Sequence, residues 1–305
     1  MSIVDLGAAA SWKLKGQGNA NAVFEYIGTD ADKAGQVLRV RKQKLLLDTH
    51  SDTPTELQLL EREIWGSLIN DWSSEAIVQQ QYEDRVLKPL LGSDFIYQDR
   101  HIQLTPEYAA ALSQLHQLQL ARQAWLEHDH TVFPGPVHAT PGNEGTRVCT
   151  ICVELKPKCG FLPTSACIHP KHAIKREIPR FQLHQHLKCA QGKVQRHSAY
   201  NPLDLFSGDV ARMQRALRAL LRDPQNNLRL FVDGVQAAPG RLEHQLAEIS
   251  APQGGIEPFL EHLAITLQHA GILELVLAAQ KLDAHDVEDF SKWTERLPMV
   301  HCGTI

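Results

Sequence analysis

Three clusters of residues have the types and spacing to handle phosphate. The first is Gly16-Gln17-Gly18-Asn19-Ala20-Asn21. Glycines let a backbone turn approach a phosphate closely, and the N–H groups of such a turn can cradle it. An ordinary hairpin turn would use the same residues. The second is Glu154-Leu155-Lys156-Pro157-Lys158-Cys159-Gly160-Phe161. In an extended chain Glu154, Lys156 and Lys158 point to one side, and Pro157 keeps Lys156 extended. Two ammonium groups backed by a carboxylate suit an anion, although Lys/Glu alternation also marks a plain half-buried strand. The third is Arg180, His184 and Lys188 in RFQLHQHLK, spaced i, i+4, i+8 so that a helix sets them along one face. Arg supplies a planar fork and Lys a compact charge, both suited to phosphate; the competing reading is a solvated helix face. Asn226-Asn227 and Arg229 follow at a loop-to-strand boundary, where paired Asn serves a ligand or simple turn chemistry.

These residues need elements to hold them. Residues 11–48 have the strand formers and glycine punctuation of a β-meander, with the Gly-rich run in its first turn. A strand follows those glycines, so the run is not a Rossmann fingerprint, and no GxxxxGK[ST] is present. A Gly-rich hairpin over phosphates belongs to protein-kinase-like folds, where a strand cation also pairs with the nucleotide. Arg39 and Arg41, sharing one strand face, could supply it or could guard an exposed edge. Thr53-Pro54 opens an amphipathic helix carrying Leu57, Leu60, Ile64 and Leu68. Residues 105–127 read as a second helix, opening at Thr105-Pro106. A loop holding Pro134, Gly135, Pro136, Pro141, Gly142 and Gly145 separates the halves, which predicts domains at 1–148 and 149–305. Beyond it come a strand at RVCTICVEL, a helix over 209–222, a strand at LRLFVDG, and a helix marked by Ile256, Phe259, Leu260, Leu263 and Leu267.

Composition narrows the classes. With 43% hydrophobic residues the 305-residue chain can bury a sizeable core. Lys+Arg of 31 against Asp+Glu of 35 gives a net charge of −4, which argues against a general nucleic-acid binder. MSIVDLGAAASW has neither the basic region nor the apolar core of a signal peptide, and no run approaches the ~18 apolar residues of a spanning helix. The six cysteines do not read as a disulfide framework. The expectation is a cytoplasmic or nuclear protein away from membranes.

Five blocks in order resemble one family, the inositol-pentakisphosphate 2-kinases: GQGNAN, VELKPKCGF, RFQLHQHLK, YNPLDLFSG and PQNNLRLFVDG. VLRVRK, PLLG and AAQKLD are similar as well, so the resemblance runs from about residue 12 to about residue 286. It implies an α+β, two-lobed, protein-kinase-like fold, with a small antiparallel β-rich N-lobe, a larger α/β C-lobe and ATP between them. Gly16, Gly18, Asn19, Ala20 and Asn21 match the phosphate-covering loop, and Arg39 the strand cation. Glu154 and Arg229 match the ribose side of ATP, and Lys156 the lysine near the transferred phosphate. Lys158, Arg180, His184, Lys188, Asn226 and Asn227 match inositol-phosphate contacts. Arg122, in ARQAW, matches an arginine that the family sets in an R-P-x-W context; here Gln123 replaces the proline.

The implied reaction converts ATP and inositol 1,3,4,5,6-pentakisphosphate to ADP and the hexakisphosphate, in a monomer using Mg²⁺. The family's last segment carries acidic motifs like D-C-S-x-M and D-L-D, associated with Mg²⁺ and the attacking hydroxyl. Neither occurs in this sequence, and Asp283 and Asp286 belong to the preceding segment. The expectation is an incomplete C-lobe and impaired transfer, or a non-catalytic binder using the same cations. A rival from another class is a zinc module built from Cys149, Cys152, Cys159, Cys167, His169 and His172, although an extended CTIC parts its two thiols. His128-Asp129-His130 is expected as a surface loop, and Arg212, Arg215, Arg218 and Arg222 as a solvated helix face.

Overall fold

In the first strands, alternating side chains turn one face of a sheet inward. The computed structural model describes residues 4–43, 56–73, 75–97, 99–132, 149–166 and 168–282. It opens with β1 (Trp12–Gln17), β2 (Asn21–Tyr26) and β3 (Gln36–Lys42). Helices α1 (Glu56–Trp65), α2 (Glu75–Tyr82) and α3 (Lys88–Leu91) follow, then β4 (Arg100–Gln103), α4 (Pro106–His116) and β5 (Leu120–His128). The five strands form one antiparallel sheet in the order β1-β2-β3-β5-β4. Trp12, Phe24, Leu38, Val40 and Ala124 fill its inner face, and Ala109 and Leu112 of α4 belong to the same core. In α1 the apolar Leu60 and Ile64 are exposed, as is Leu68 just beyond it.

The continuous helix expected over 105–127 does not form. Thr105 caps α4 as predicted, its hydroxyl accepting the Tyr108 N–H at 3.2 Å. The helix then stops at Gln117, which is left-handed (φ 54°). Residues from Leu120 pair on one side with β3 and on the other with β4, setting Leu126 against both Leu38 and Arg100. Sheet pairing on both edges outweighs the local helical spacing of LARQAWLEH.

The second half holds β6 (Ile151–Leu155), α5 (Arg180–Ala190), α6 (Pro202–Leu205), α7 (Val210–Arg222), β7 (Leu228–Val232), β8 (Val235–Gln236), α8 (Leu242–Ser250), α9 (Ile256–Ala270) and α10 (Ile272–Gln280). Its sheet runs β6-β7-β8. Asp209 caps α7, accepting the Arg212 N–H at 2.8 Å. Met213, Ala216, Leu217, Leu220 and Leu221 form the buried stripe of α7, which packs on α9. The arginine stripe is less solvated than expected: Arg212 bonds Asp204 at 2.8 Å, and Arg218, only 15% exposed, pairs with Glu243 and Glu257.

The chain divides into two compact units, residues 1–152 with 232–235, and residues 153–231 with 236–305. The Thr53-Pro54 cap, the Leu57 side chain, the loop of 133–148, Cys167, Asp283 and Asp286 lie outside the described residues. No described helix is by itself long and apolar enough to cross a membrane; α9 and α10 pass that test only as a pair bent by 63°.

Candidate functional site

The Gly-rich run forms the tip of the β1–β2 hairpin. Gly18 N–H donates to Asn21 O at 2.8 Å, and from β3 the Lys42 ammonium reaches Gly18 O at 2.9 Å. Neither Gly16 nor Gly18 has a positive φ, and a Cβ built on either would meet nothing within 4 Å. The protein's own packing therefore does not demand these glycines. What they leave is open space over the hairpin, which is what close approach of a phosphate requires. The buried Oδ1 of Asn21 has no hydrogen-bond partner among the described residues.

A register shift between Leu14 and Gly16 marks a bulge at Lys15. The Lys15 ammonium bonds Asp129 at 2.5 Å. Burial alone would raise the Asp129 carboxyl; hydrogen bonds from Lys15 and Thr131 outweigh it and hold the group below the ordinary carboxylate value. Asp129 is only 6% exposed, so His128-Asp129-His130 is not simply a surface loop: its central carboxylate anchors the strand leading into the glycines.

Arg39 lies over the Trp125 ring at 4.8 Å, bonds Asp99 at 3.0 Å and forms an ion pair with Glu127. One guanidinium thus serves two carboxylates. Burial pushes the Glu127 carboxyl up to about 7, against the pull of Arg39 and with the help of Asp99. A carboxyl raised from an unfolded value of 4.5 favours the fold fully below pH 4.5, and that contribution disappears as pH rises through about 7. Glu127→Gln is therefore expected to flatten the decline of Tm between about pH 5 and 8, measured by thermal melts across that range. An unchanged slope would remove Glu127 as its source. Arg122, on β5, is exposed and donates from Nε to Leu104 O at 2.9 Å.

In the second unit Glu154 and Arg229 sit on the paired strands β6 and β7. Glu154 takes Arg229 at 3.3 Å and Lys156 at 3.7 Å. The strand ends at Leu155, and the Lys156 N–H bonds Asn227 O at 2.8 Å. Lys158 then adopts φ 66°, so strand alternation does not extend to it as expected. Two residues outside the motif hold this turn. The buried Tyr200 donates its hydroxyl to Pro157 O at 2.6 Å. Gln280, the last residue of α10, accepts the Gly160 N–H at 2.8 Å and donates to Lys158 O at 2.8 Å. Burial, then the charges of Lys188 and Lys156, lowers the Lys158 ammonium below its ordinary value. Lys156 and Lys188 are thus each close enough to repel Lys158, the condition an anion would relieve.

On α5, Arg180 and His184 are exposed and Lys188 is half-buried. A cleft of about 680 Å³ opens beside Lys188 and Asn226, within the ~300–1,000 Å³ usual for small-molecule sites. The two asparagines part company. Asn226 lines the cleft, while Asn227 is 0% exposed and neither of its amide atoms has a partner among the described residues. Such orphaned groups cost about 1–3 kcal/mol each, whereas an apolar isostere there is close to neutral. Asn227→Leu should hold or raise the Tm in thermal melts. A large drop in Tm would show that the amide supports the fold.

Among the described residues no three His, Cys, Asp or Glu side chains converge as metal ligands. Cys149, Cys159 and Cys189 form no disulfide among the described residues. Lys42 was readable as a strand cation beside Arg39 and Arg41, though not its bond to Gly18 O, and the sequence did not single out Tyr200 or Gln280. For the last two, YNPLDLF and AAQKLD stood out only as whole segments, without a signal for the contact each makes.

A β-rich unit with an open glycine hairpin and a second α/β unit with converging lysines define an α+β protein of the two-lobed, kinase-like class. The family model described as inositol-pentakisphosphate 2-kinase matches residues 15–301. The chain is 31% identical over 313 residues to the inositol-pentakisphosphate 2-kinase of Oryza sativa subsp. indica, covering 92% of this chain and 68% of that protein. With the Arabidopsis thaliana enzyme it shares 30% over 317 residues, again 92% and 68%; with that of Danio rerio, 33% over 234 residues, 73% and 43%. The chain belongs to the inositol-pentakisphosphate 2-kinase family.

Proposed function

We propose that this chain binds ATP and inositol 1,3,4,5,6-pentakisphosphate, and that its reaction is transfer of the γ-phosphoryl group to the 2-hydroxyl, giving ADP and inositol hexakisphosphate. The bond formed joins the 2-oxygen to the γ-phosphorus; the bond broken is the one between that phosphorus and the β–γ bridging oxygen, and the hydroxyl proton is released. The observation that carries the reading is the approach of Lys156 and, from α5, of Lys188 to Lys158, whose turn is fastened by Tyr200 and Gln280. Cations held close together without a carboxylate for each suit a compact polyanion. In this reading Lys156 meets the transferred phosphate, while Glu154 and Arg229 serve the ribose side. Gly16, Gly18, Asn19, Ala20 and Asn21 cover the ATP phosphates, with Arg39 as the strand cation.

Phosphoryl transfer rests on positioning and charge stabilisation, and in kinases metal-bound aspartates supply much of the latter. Mg²⁺ in such sites takes one or two carboxylates together with nucleotide phosphates; among the described residues Glu154, the acid beside the lysines, is already shared by Lys156 and Arg229. That same observation favours a second reading, in which these 305 residues bind both ligands without turning them over. Calorimetry with each ligand, followed by assay of hexakisphosphate formation, separates the two. Binding with turnover supports the first reading and binding alone the second; binding of neither ligand overturns both.

A further inference from the structure

We infer that Lys193 and Arg196 form a second bank of the inositol-phosphate cleft and take a phosphate group beyond those reached by Lys158 and Lys188. The inference rests on the pentakisphosphate reading of the same site. Both residues line the cleft of about 680 Å³ together with Lys188 and Asn226. The chain as a whole carries a net charge of −4, yet three cations face this cleft against one acid, Asp223. A Gln225 amide N–H reaches that carboxylate at 3.4 Å.

The position of each cation is built. Helix α5 ends in a turn through Gly192 (φ 67°), with Gly192 N–H on Cys189 O at 3.0 Å and Lys193 N–H on Lys188 O at 2.9 Å. That closure folds the chain back so that Lys193 starts beside the carbonyl of Lys188. Arg196 donates one Nη2 hydrogen bond to Arg222 O, at 3.1 Å, where the last turn of α7 presents unpaired carbonyls and negative dipole. A guanidinium has five N–H donors, so most of the fork remains available to an anion. The floor beneath is preformed: Gln185, 1% exposed, exchanges amide hydrogen bonds with Gln225 at 2.8 and 3.4 Å and accepts Ser198 N–H at 3.4 Å. Lys193 and Arg196 are themselves exposed, so their charges stay hydrated when no anion is bound. A phosphate entering here exchanges that hydration for charge-assisted hydrogen bonds on a rigid base.

The test is calorimetric titration of inositol pentakisphosphate and, separately, ATP into the wild-type chain, Lys193→Ala, and the double variant Lys193→Ala/Arg196→Gln. Lys193→Ala removes no side-chain hydrogen bond to the described residues, so it stands even if loss of the Arg196 anchor disturbs α7. The single variant should weaken pentakisphosphate binding several-fold and the double variant about tenfold or more, with ATP affinity held within about twofold. The double variant should also bind with a shallower salt dependence. If both variants bind the pentakisphosphate as the wild type does while Lys158→Ala loses it, the second bank is wrong and the pentakisphosphate reading stands. Should the wild-type chain itself fail to bind the pentakisphosphate, that reading falls and takes the second bank with it.

Discussion

Lys158→Ala is expected to weaken inositol-pentakisphosphate binding by about 10–100-fold while changing ATP affinity by less than about threefold. The magnitude follows from one lost hydrogen bond between charged partners, worth about 1.5–3 kcal/mol. Lys158 is half-buried, left-handed and flanked by Lys156 and Lys188, and its ammonium sits below the ordinary lysine value for that reason. An amine with a depressed folded value favours the fold above its unfolded value of 10.5 and loses that contribution as pH falls through the lower folded value. Near neutrality the empty site therefore carries a repulsive cost that alanine removes. The variant should be at least as stable as the wild type in thermal melts without ligand, yet gain less Tm when the pentakisphosphate is added. If calorimetry instead showed ATP binding hurt more than pentakisphosphate binding, Lys158 would belong to the nucleotide.

Gly160→Ala is expected to damage stability and binding together. A Cβ at this buried position would lie 2.3 Å from Cδ2 and 2.4 Å from Cγ of the Phe206 ring. Those are atoms of a rigid ring, not the tip of a flexible chain, so backbone or ring must shift, at a cost of about 1–3 kcal/mol. Each kcal/mol corresponds to roughly 2–4 °C of Tm in a protein somewhat smaller than this one. The shift would also strain the Gln280 hydrogen bonds to Lys158 O and Gly160 N–H. Pairing the change with Phe206→Leu should return part of the lost stability, and the coupling between the two sites measures the contact. A Gly160→Ala chain with wild-type melting and wild-type ligand affinity would sink this account.

How much was legible in the sequence varied with the range of the forces involved. Strands β1 to β3 were visible because glycines and strand-forming residues punctuate them locally. Helix α7 was visible because Met213, Leu217, Leu220 and Leu221 keep a helical period and do bury. Strand β5 was not. Its LARQAWLEH has apolar residues at helical spacing, and what makes it a strand is pairing with partners distant in sequence. Nor did Gln117, without glycine's freedom, announce the left-handed stop before it. In the site, the residue types of Lys156, Lys158 and Lys188 were readable. The turn at Lys158 was not, because Tyr200 and Gln280 enforce it from 43 and 122 residues away.

That last separation bears on how the protein is made. Gln280 lies 122 residues beyond the carbonyl it fastens. At synthesis rates of about 5–20 residues per second the nascent loop waits on the order of ten seconds before its clasp exists. Through that interval Lys158 has no Gln280 side chain to hold its turn. A proteolytic cut just before Gln280 would leave the lysines in place and remove the clasp that organises them.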